Sequence, residues 1–155
     1  ENGVRLLEQE QLIAIFPEGY KGVGKLFKER YRLARFGRGG FIKMALQTHS
    51  PIIPMAVVGA EETYVSLYKS QTMAKLMGVP YFPISPTFPW FGLLGLIPLP
   101  TKWTIDFGEP INLSEYGPEA ANNLLLVSQL TDQVRNIIQE MIYSRLSKRR
   151  SVFFG

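Results

Sequence analysis

An α/β fold, with a central sheet flanked by helices, is predicted by three features of this sequence. Short apolar runs closed by proline or glycine (residues 12–16, 52–58 and 103–107) read as buried strands. Segments with helical spacing of apolar residues alternate with them, the pattern of layered α/β structure. The 155 residues are 46% hydrophobic and 19% charged, a balance that buries a core in one domain.

The elements follow in order. Residues 4–11 read as the end of a helix, with Val4, Leu6 and Leu7 among polar neighbours. Leu12 to Phe16 is the first buried strand, stopped by Pro17. Residues 19–40 are expected to be mostly loop, with a helical turn within 26–35. Gly39-Gly40 releases a helix over 41–48, where Ile42, Ala45, Leu46 and His49 fall at i, i+3, i+4 and i+7. Ile52 to Val58 forms a second buried strand. Glu61 and Glu62 open a helix running to about Met77, because carboxylates suit the positive end of a helix. Trp103 to Phe107 is a third strand, turning at Gly108-Glu109-Pro110. A long amphipathic helix covers 118–146, with Leu126, Leu130, Val134, Ile137, Ile138 and Met141 on one face. The chain reads as one domain, 1–155, whose residues 111–155 hold this helix and a basic tail.

Between Leu76 and Thr101 there is no charged residue, a length that invites a membrane-spanning reading. Six prolines (Pro80, Pro83, Pro86, Pro89, Pro98, Pro100) oppose it, since each removes a backbone donor. An apolar loop lying on the protein or dipping into a membrane surface fits better. Trp90, Phe91 and Trp103 within and beside it are expected to pack in the core or loop, the rival role being to line an acyl channel or touch lipid.

Charge is uneven. The net charge is +4, yet the window 21–43 holds eight basic residues against Glu29 alone. Such a field attracts phosphate, an anionic lipid surface or nucleic acid. No motif that reads bases accompanies it, so no nucleic-acid partner is expected. Cysteine is absent, which excludes disulfides and thiol chemistry, and one histidine with two aspartates leaves no metal site to expect. At the other end, Arg145, Lys148, Arg149 and Arg150 precede Val152-Phe153-Phe154, a grouping that suits either an anionic membrane surface or a frayed tail.

The segment IAIFPEGYKGVGKLF admits two readings. Gly19 to Lys25 satisfies G-x-x-x-x-G-K, but Leu26 stands where a phosphate-binding loop places the Ser or Thr that ligates magnesium. Phe16-Pro17-Glu18-Gly19 instead resembles the Phe-Pro-Glu-Gly motif of the glycerol-phosphate and lysophospholipid acyltransferase superfamily. Three further blocks follow in that family's order. Gly39 to Ala45 (GGFIKMA) resembles its next helix, Ser50 to Gly59 (SPIIPMAVVG) its Pro-Val-Val-Pro-Val strand, and Trp103 to Pro110 (WTIDFGEP) its late strand and Gly-Glu-Pro turn.

The resemblance implies a glycerolipid acyltransferase-like fold and a substrate site. Glu18 would bond an acceptor hydroxyl or orient a basic neighbour, and Gly19 would let the backbone approach the ligand. The family pattern continues Thr-Arg, where this chain has Tyr20-Lys21. Lys21 supplies positive charge to a phosphate without the fork of arginine, which Arg35 or Arg38 is placed to provide. Glu18, Gly19, Tyr20, Lys21, Arg35 and Arg38 are therefore the expected acceptor-binding residues.

The family's chemistry rests on His-x-x-x-x-Asp, the histidine taking a proton from the acceptor hydroxyl as it attacks an acyl thioester. His49 is the only histidine, Pro54 stands five positions on, and His49 follows the Phe-Pro-Glu-Gly block where the family's dyad precedes it. His49 is expected to cap a helix C-terminus. The chain starts Glu1-Asn2-Gly3-Val4 without methionine or signal pattern and reads as the C-terminal portion of such an enzyme, lacking the N-terminal part of the fold and inactive alone. The intact enzyme would transfer a fatty acyl group from acyl-CoA or acyl-carrier protein to a lysophospholipid or glycerol phosphate, as a cytoplasmic, peripheral membrane protein with no bound cofactor. The rival readings are a nucleotide binder and a non-catalytic lipid-surface module.

Overall fold

The computed structural model describes residues 2–78, 83–88 and 90–154. Pro80 and Pro89 of the apolar stretch lie outside them. The chain divides into two compact units, the first comprising Glu1–Gly19, Leu33–Ala56 and Asp106–Met141, the second Tyr20–Arg32, Val57–Ile105 and Ile142–Gly155.

In the first unit, helix α1 (Asn2–Glu8) lies against α3 (Gly40–Thr48), where a Cβ on Gly3 would stand 2.6 Å from the Met44 sulfur. The spacing of α3 buries Ile42, Ala45 and Leu46 as expected. Its end is set by His49, which takes φ +53° and donates its N–H to the Ala45 carbonyl, with Pro51 beyond. The long helix α6 (Leu124–Lys148) supplies Val127, Leu130 and Val134 to the same core, joined by Phe36, Leu113 and Ala121. A 3₁₀ turn over Pro118–Asn122 precedes α6, so the helix predicted from 118 starts later. Phe36 meets Phe41 edge-on, ring centres 6.2 Å apart. Ile52 and Ile111 exchange backbone hydrogen bonds of 3.0 and 2.8 Å, and Gly108 donates to Pro54 at 2.9 Å.

Strand β1 (Met55–Val58) pairs with β4 (Thr104–Phe107) in a two-stranded sheet, shorter than the runs read from sequence. The expected strand over 12–16 is absent. Those residues are coil, with Leu12 92% and Phe16 73% exposed. A strand needs a neighbour to bond its backbone, and among the described residues no strand pairs with this segment. The fold is thus an α/β mixture of helices with two small sheets among the described residues.

The second unit contains α2 (Tyr20–Val23), a 3₁₀ turn at Phe27–Glu29, α4 (Ala60–Thr63), α5 (Gln71–Met77) and an antiparallel pair, β2 (Tyr68–Lys69) with β3 (Pro83–Ile84). The single helix expected from Glu61 to Met77 is broken after Thr63, where Tyr64 turns extended and Leu67 donates to the Ile84 carbonyl at 2.8 Å. The two glutamates are engaged in side-chain pairing, beyond any helix-end effect. Glu61 pairs with Lys25 at 2.7 Å and accepts the Tyr31 N–H; Glu62, 3% exposed, pairs with Arg149 at 2.7 Å and accepts the Tyr31 hydroxyl. Arg149 therefore does not belong to a free basic tail. Its second Nη donates to the Lys102 and Val152 carbonyls at 3.0 and 2.9 Å. Among the described residues, no helix is long and apolar enough to cross a membrane.

Candidate functional site

The Phe-Pro-Glu-Gly block forms a tight turn. Gly19 donates its N–H to the Phe16 carbonyl at 3.0 Å, with Pro17 presetting the second position and Gly19 at φ +57°. Nothing lies within 4 Å of where a Gly19 Cβ would project, so the backbone there is open. The turn is stapled to the segment carrying Arg35 and Arg38. The Pro17 carbonyl accepts the Gly37 N–H at 3.2 Å, and the Glu18 carboxylate accepts the N–H of Ala34.

That segment is irregular and cannot satisfy its own backbone, so side chains do it. On α6, Gln139 Oε1 accepts the Leu33 N–H at 2.8 Å, while Arg135 donates to the Leu33 carbonyl and, through Nε at 3.1 Å, to the Ala34 carbonyl. Glu18, Arg135 and Gln139 thereby hold all four polar backbone groups of Leu33 and Ala34. Glu18 thus anchors the basic segment through its backbone.

Beside this segment is a cleft of about 190 Å³. One wall is residues 35–39; the other is α6, with Leu124, Val127, Ser128, Thr131 and Asp132. Gly39 makes the walls meet closely, since a Cβ there would stand 2.6 Å from Val127 Cγ1 and 2.7 Å from Thr131 Oγ1. Its φ of +69° also starts α3. The Thr131 hydroxyl is spent on the Val127 carbonyl at 2.6 Å. Arg35 and Arg38 are exposed, and neither guanidinium is engaged in an ion pair among the described residues. Two unengaged arginine forks opposite the lone carboxylate of Asp132 make a local surplus of positive charge suited to phosphate. At about 190 Å³ the cleft has room for a phosphate group.

Of the six residues expected from sequence, Glu18, Gly19, Arg35 and Arg38 lie on this turn and the segment it is stapled to; only the two arginines line the cleft. Lys21 is exposed and belongs to the second unit, and the Tyr20 side chain lies outside the described residues. Sequence reading missed Ser128, Asp132, Arg135 and Gln139. Their signal was a second stripe on α6 at steps of three or four, running beside the apolar one. The rival nucleotide loop loses its lysine, because Lys25 is committed to Glu61 and to the Arg32 carbonyl at 2.9 Å. Trp90, Phe91 and Trp103, expected in packing, are 76%, 65% and 54% exposed.

A family model described as "Acyltransferase" matches residues 1–58. An uncharacterized protein of Mycobacterium tuberculosis is 52% identical over 151 residues, 97% of this chain and 42% of the relative. Another, of Mycobacterium leprae, is 53% identical over 151 residues, covering 97% and 41%. A mouse protein named "DGAT1/2-independent enzyme synthesizing storage lipids" is 27% identical over 142 residues, covering 92% and 38%. The chain thus spans about two fifths of the length of the curated relatives it matches. No solved structure matches significantly. Two of the four motif blocks, Phe16–Gly19 and Gly39–Ala45, lie wholly within the residues that the family model matches, and the Ser50–Gly59 block lies there but for its last residue. With the storage-lipid relatives they support an acyltransferase superfamily member.

Proposed function

We propose that the full-length protein transfers a fatty acyl group from an acyl thioester (acyl-CoA or acyl-carrier protein) to a lysophospholipid or glycerol phosphate. Residues 18–19 and 35–38 would bind the phosphorylated acceptor. The observation that carries this reading is the stapling of the Phe16–Gly19 turn to the segment bearing two unengaged arginines. The acceptor phosphate would sit between Arg35 and Arg38, leaving its hydroxyl outside the small cleft and accessible to the thioester. Attack of that hydroxyl oxygen on the thioester carbon forms the ester and releases the thiol, with the hydroxyl proton passing to a base. Residues 1–155 contain no His-x-x-x-x-Asp, so their contribution is acceptor binding.

A second reading draws on the storage-lipid enzymes among the relatives. It is favoured by Tyr20-Lys21, where the family pattern places Thr-Arg: the acceptor would be an uncharged acylglycerol. Steady-state assay of the full-length protein separates the two. With a phosphate-bearing acceptor, Arg35→Ala/Arg38→Ala should raise the acceptor KM about tenfold or more, as charge-assisted bonds are lost. Glu18→Ala should abolish most activity. Unchanged acceptor KM in the arginine variant would overturn phosphate recognition, and turnover confined to uncharged acceptors would establish the second reading.

A further inference from the structure

The 3₁₀ turn over Gly92–Leu96 is built inside out. One of its two glycines faces the protein: Gly95 is buried, and a Cβ there would stand 2.5 Å from the Thr87 carbonyl oxygen, whereas Gly92 is exposed. Two bonds fix that side, Phe91 N–H to the Thr87 carbonyl at 2.9 Å and the Thr87 hydroxyl to the Gly95 carbonyl at 3.2 Å. In a 3₁₀ turn, side chains three apart eclipse one another. Phe91, Leu94 and Ile97 therefore share one face, and they are 65%, 71% and 63% exposed, with Trp90 beside them at 76%. Burying a glycine while four large apolar side chains meet water is unfavourable for a surface with no partner.

The electrostatics select the partner. The whole stretch 76–101 is uncharged, and it is bracketed by the exposed lysines Lys75 and Lys102. Lys102 binds the C-terminal tail through its N–H to the Val152 carbonyl at 3.0 Å and its Nζ to the Phe154 carbonyl at 3.2 Å. That tail adds the exposed Phe153 and Phe154 and follows the exposed Lys148 and Arg150. Apolar and tryptophan side chains with a basic border suit an anionic bilayer interface, which buries the rings at headgroup depth and attracts the cations. A protein groove would place no such demand for a border of one charge.

We propose that the Trp90–Ile97 turn is a membrane-docking element, inserting Phe91, Leu94 and Ile97 into an anionic leaflet. The choice of a lipid partner rests on the lipid-acyltransferase reading above. The turn itself is separate from the cleft residues.

The test uses the full-length protein with Leu94→Cys carrying an environment-sensitive nitrobenzoxadiazole dye, mixed with phosphatidylcholine vesicles with and without phosphatidylserine. Dye emission should shift blue and saturate with lipid, more strongly with phosphatidylserine, and added salt should weaken the response. Phe91→Ser/Leu94→Ser/Ile97→Ser should weaken vesicle partitioning by about tenfold or more while retaining acyl transfer to a detergent-dispersed acceptor. Undiminished vesicle binding by that variant would overturn the proposal, as would an unshifted dye on protein that co-sediments with vesicles. A dye shift that follows protein concentration without lipid would overturn it in favour of self-association. Should the triple variant misfold, the dye on otherwise unsubstituted protein decides the matter. Absence of acyl transfer in the unsubstituted protein would remove the reading of the cleft, and vesicle binding would still decide this one.

Discussion

Arg135 hydrogen-bonds Leu33, Ala34 and Asn136, none of which lines the cleft, yet it should control acceptor affinity. It donates to the Leu33 and Ala34 carbonyls, immediately before Arg35. Hydrogen bonds from a charged donor each contribute about 1.5–3 kcal/mol when buried. Both carbonyls are only partly buried, so water replaces part of that, and Arg135→Met should free the segment by about 1–3 kcal/mol in total. At about 1.4 kcal/mol per tenfold, the acceptor KM rises roughly 5- to 100-fold. The KM for the acyl thioester and kcat should stay within about threefold, because the loss falls on uniform binding of one substrate. Arg135→Lys is the informative companion: a single amine reaches one carbonyl where the guanidinium reaches two, so its acceptor KM should fall between the other two proteins. The assay is a two-substrate steady-state matrix on the full-length protein, with thermal melting alongside. An unchanged acceptor KM in both variants would refute the positioning role. Parallel loss of kcat, both KM values and melting temperature would assign Arg135 to folding alone.

Two other outcomes follow from the packing. Arg149→Met strands the Glu62 carboxylate, 3% exposed, removing its cation and leaving it the Tyr31 hydroxyl. Chemical denaturation should show a loss of about 3–5 kcal/mol, largely relieved when Glu62→Gln is added, whereas additive losses would show that the two residues are uncoupled. Gly39→Ala places a methyl 2.6 Å from Val127 Cγ1 at φ +69°, so the cleft wall must move. Stability should fall by about 1–3 kcal/mol and acceptor KM should rise; a variant as stable and active as the parent would contradict the close approach of residue 39 to α6.

What could be read in advance depended on neighbours a few residues away. The i, i+3, i+4 spacing of Ile42, Ala45 and Leu46 marks α3, and the stripe from Leu126 to Met141 marks α6, because helical geometry is local. Pro17 and Gly19 mark the turn for the same reason: each restricts or frees its own backbone. Composition alone showed a basic window without saying which cations stay unengaged. That answer came from distant partners. Lys25 goes to Glu61, Arg149 to Glu62 and Arg135 to a loop about a hundred positions away, while Arg35 and Arg38 line the cleft with no ion pair among the described residues. The apolar run Leu12–Phe16 was misjudged by the same gap, since a strand exists only where another backbone lies alongside. Likewise, hydrophobicity between Leu76 and Thr101 does not tell inside from outside; the close fit of Gly95 against Thr87 turns the large side chains outward. Spacing along a chain fixes which residues share a face, and long-range contact chooses what that face meets.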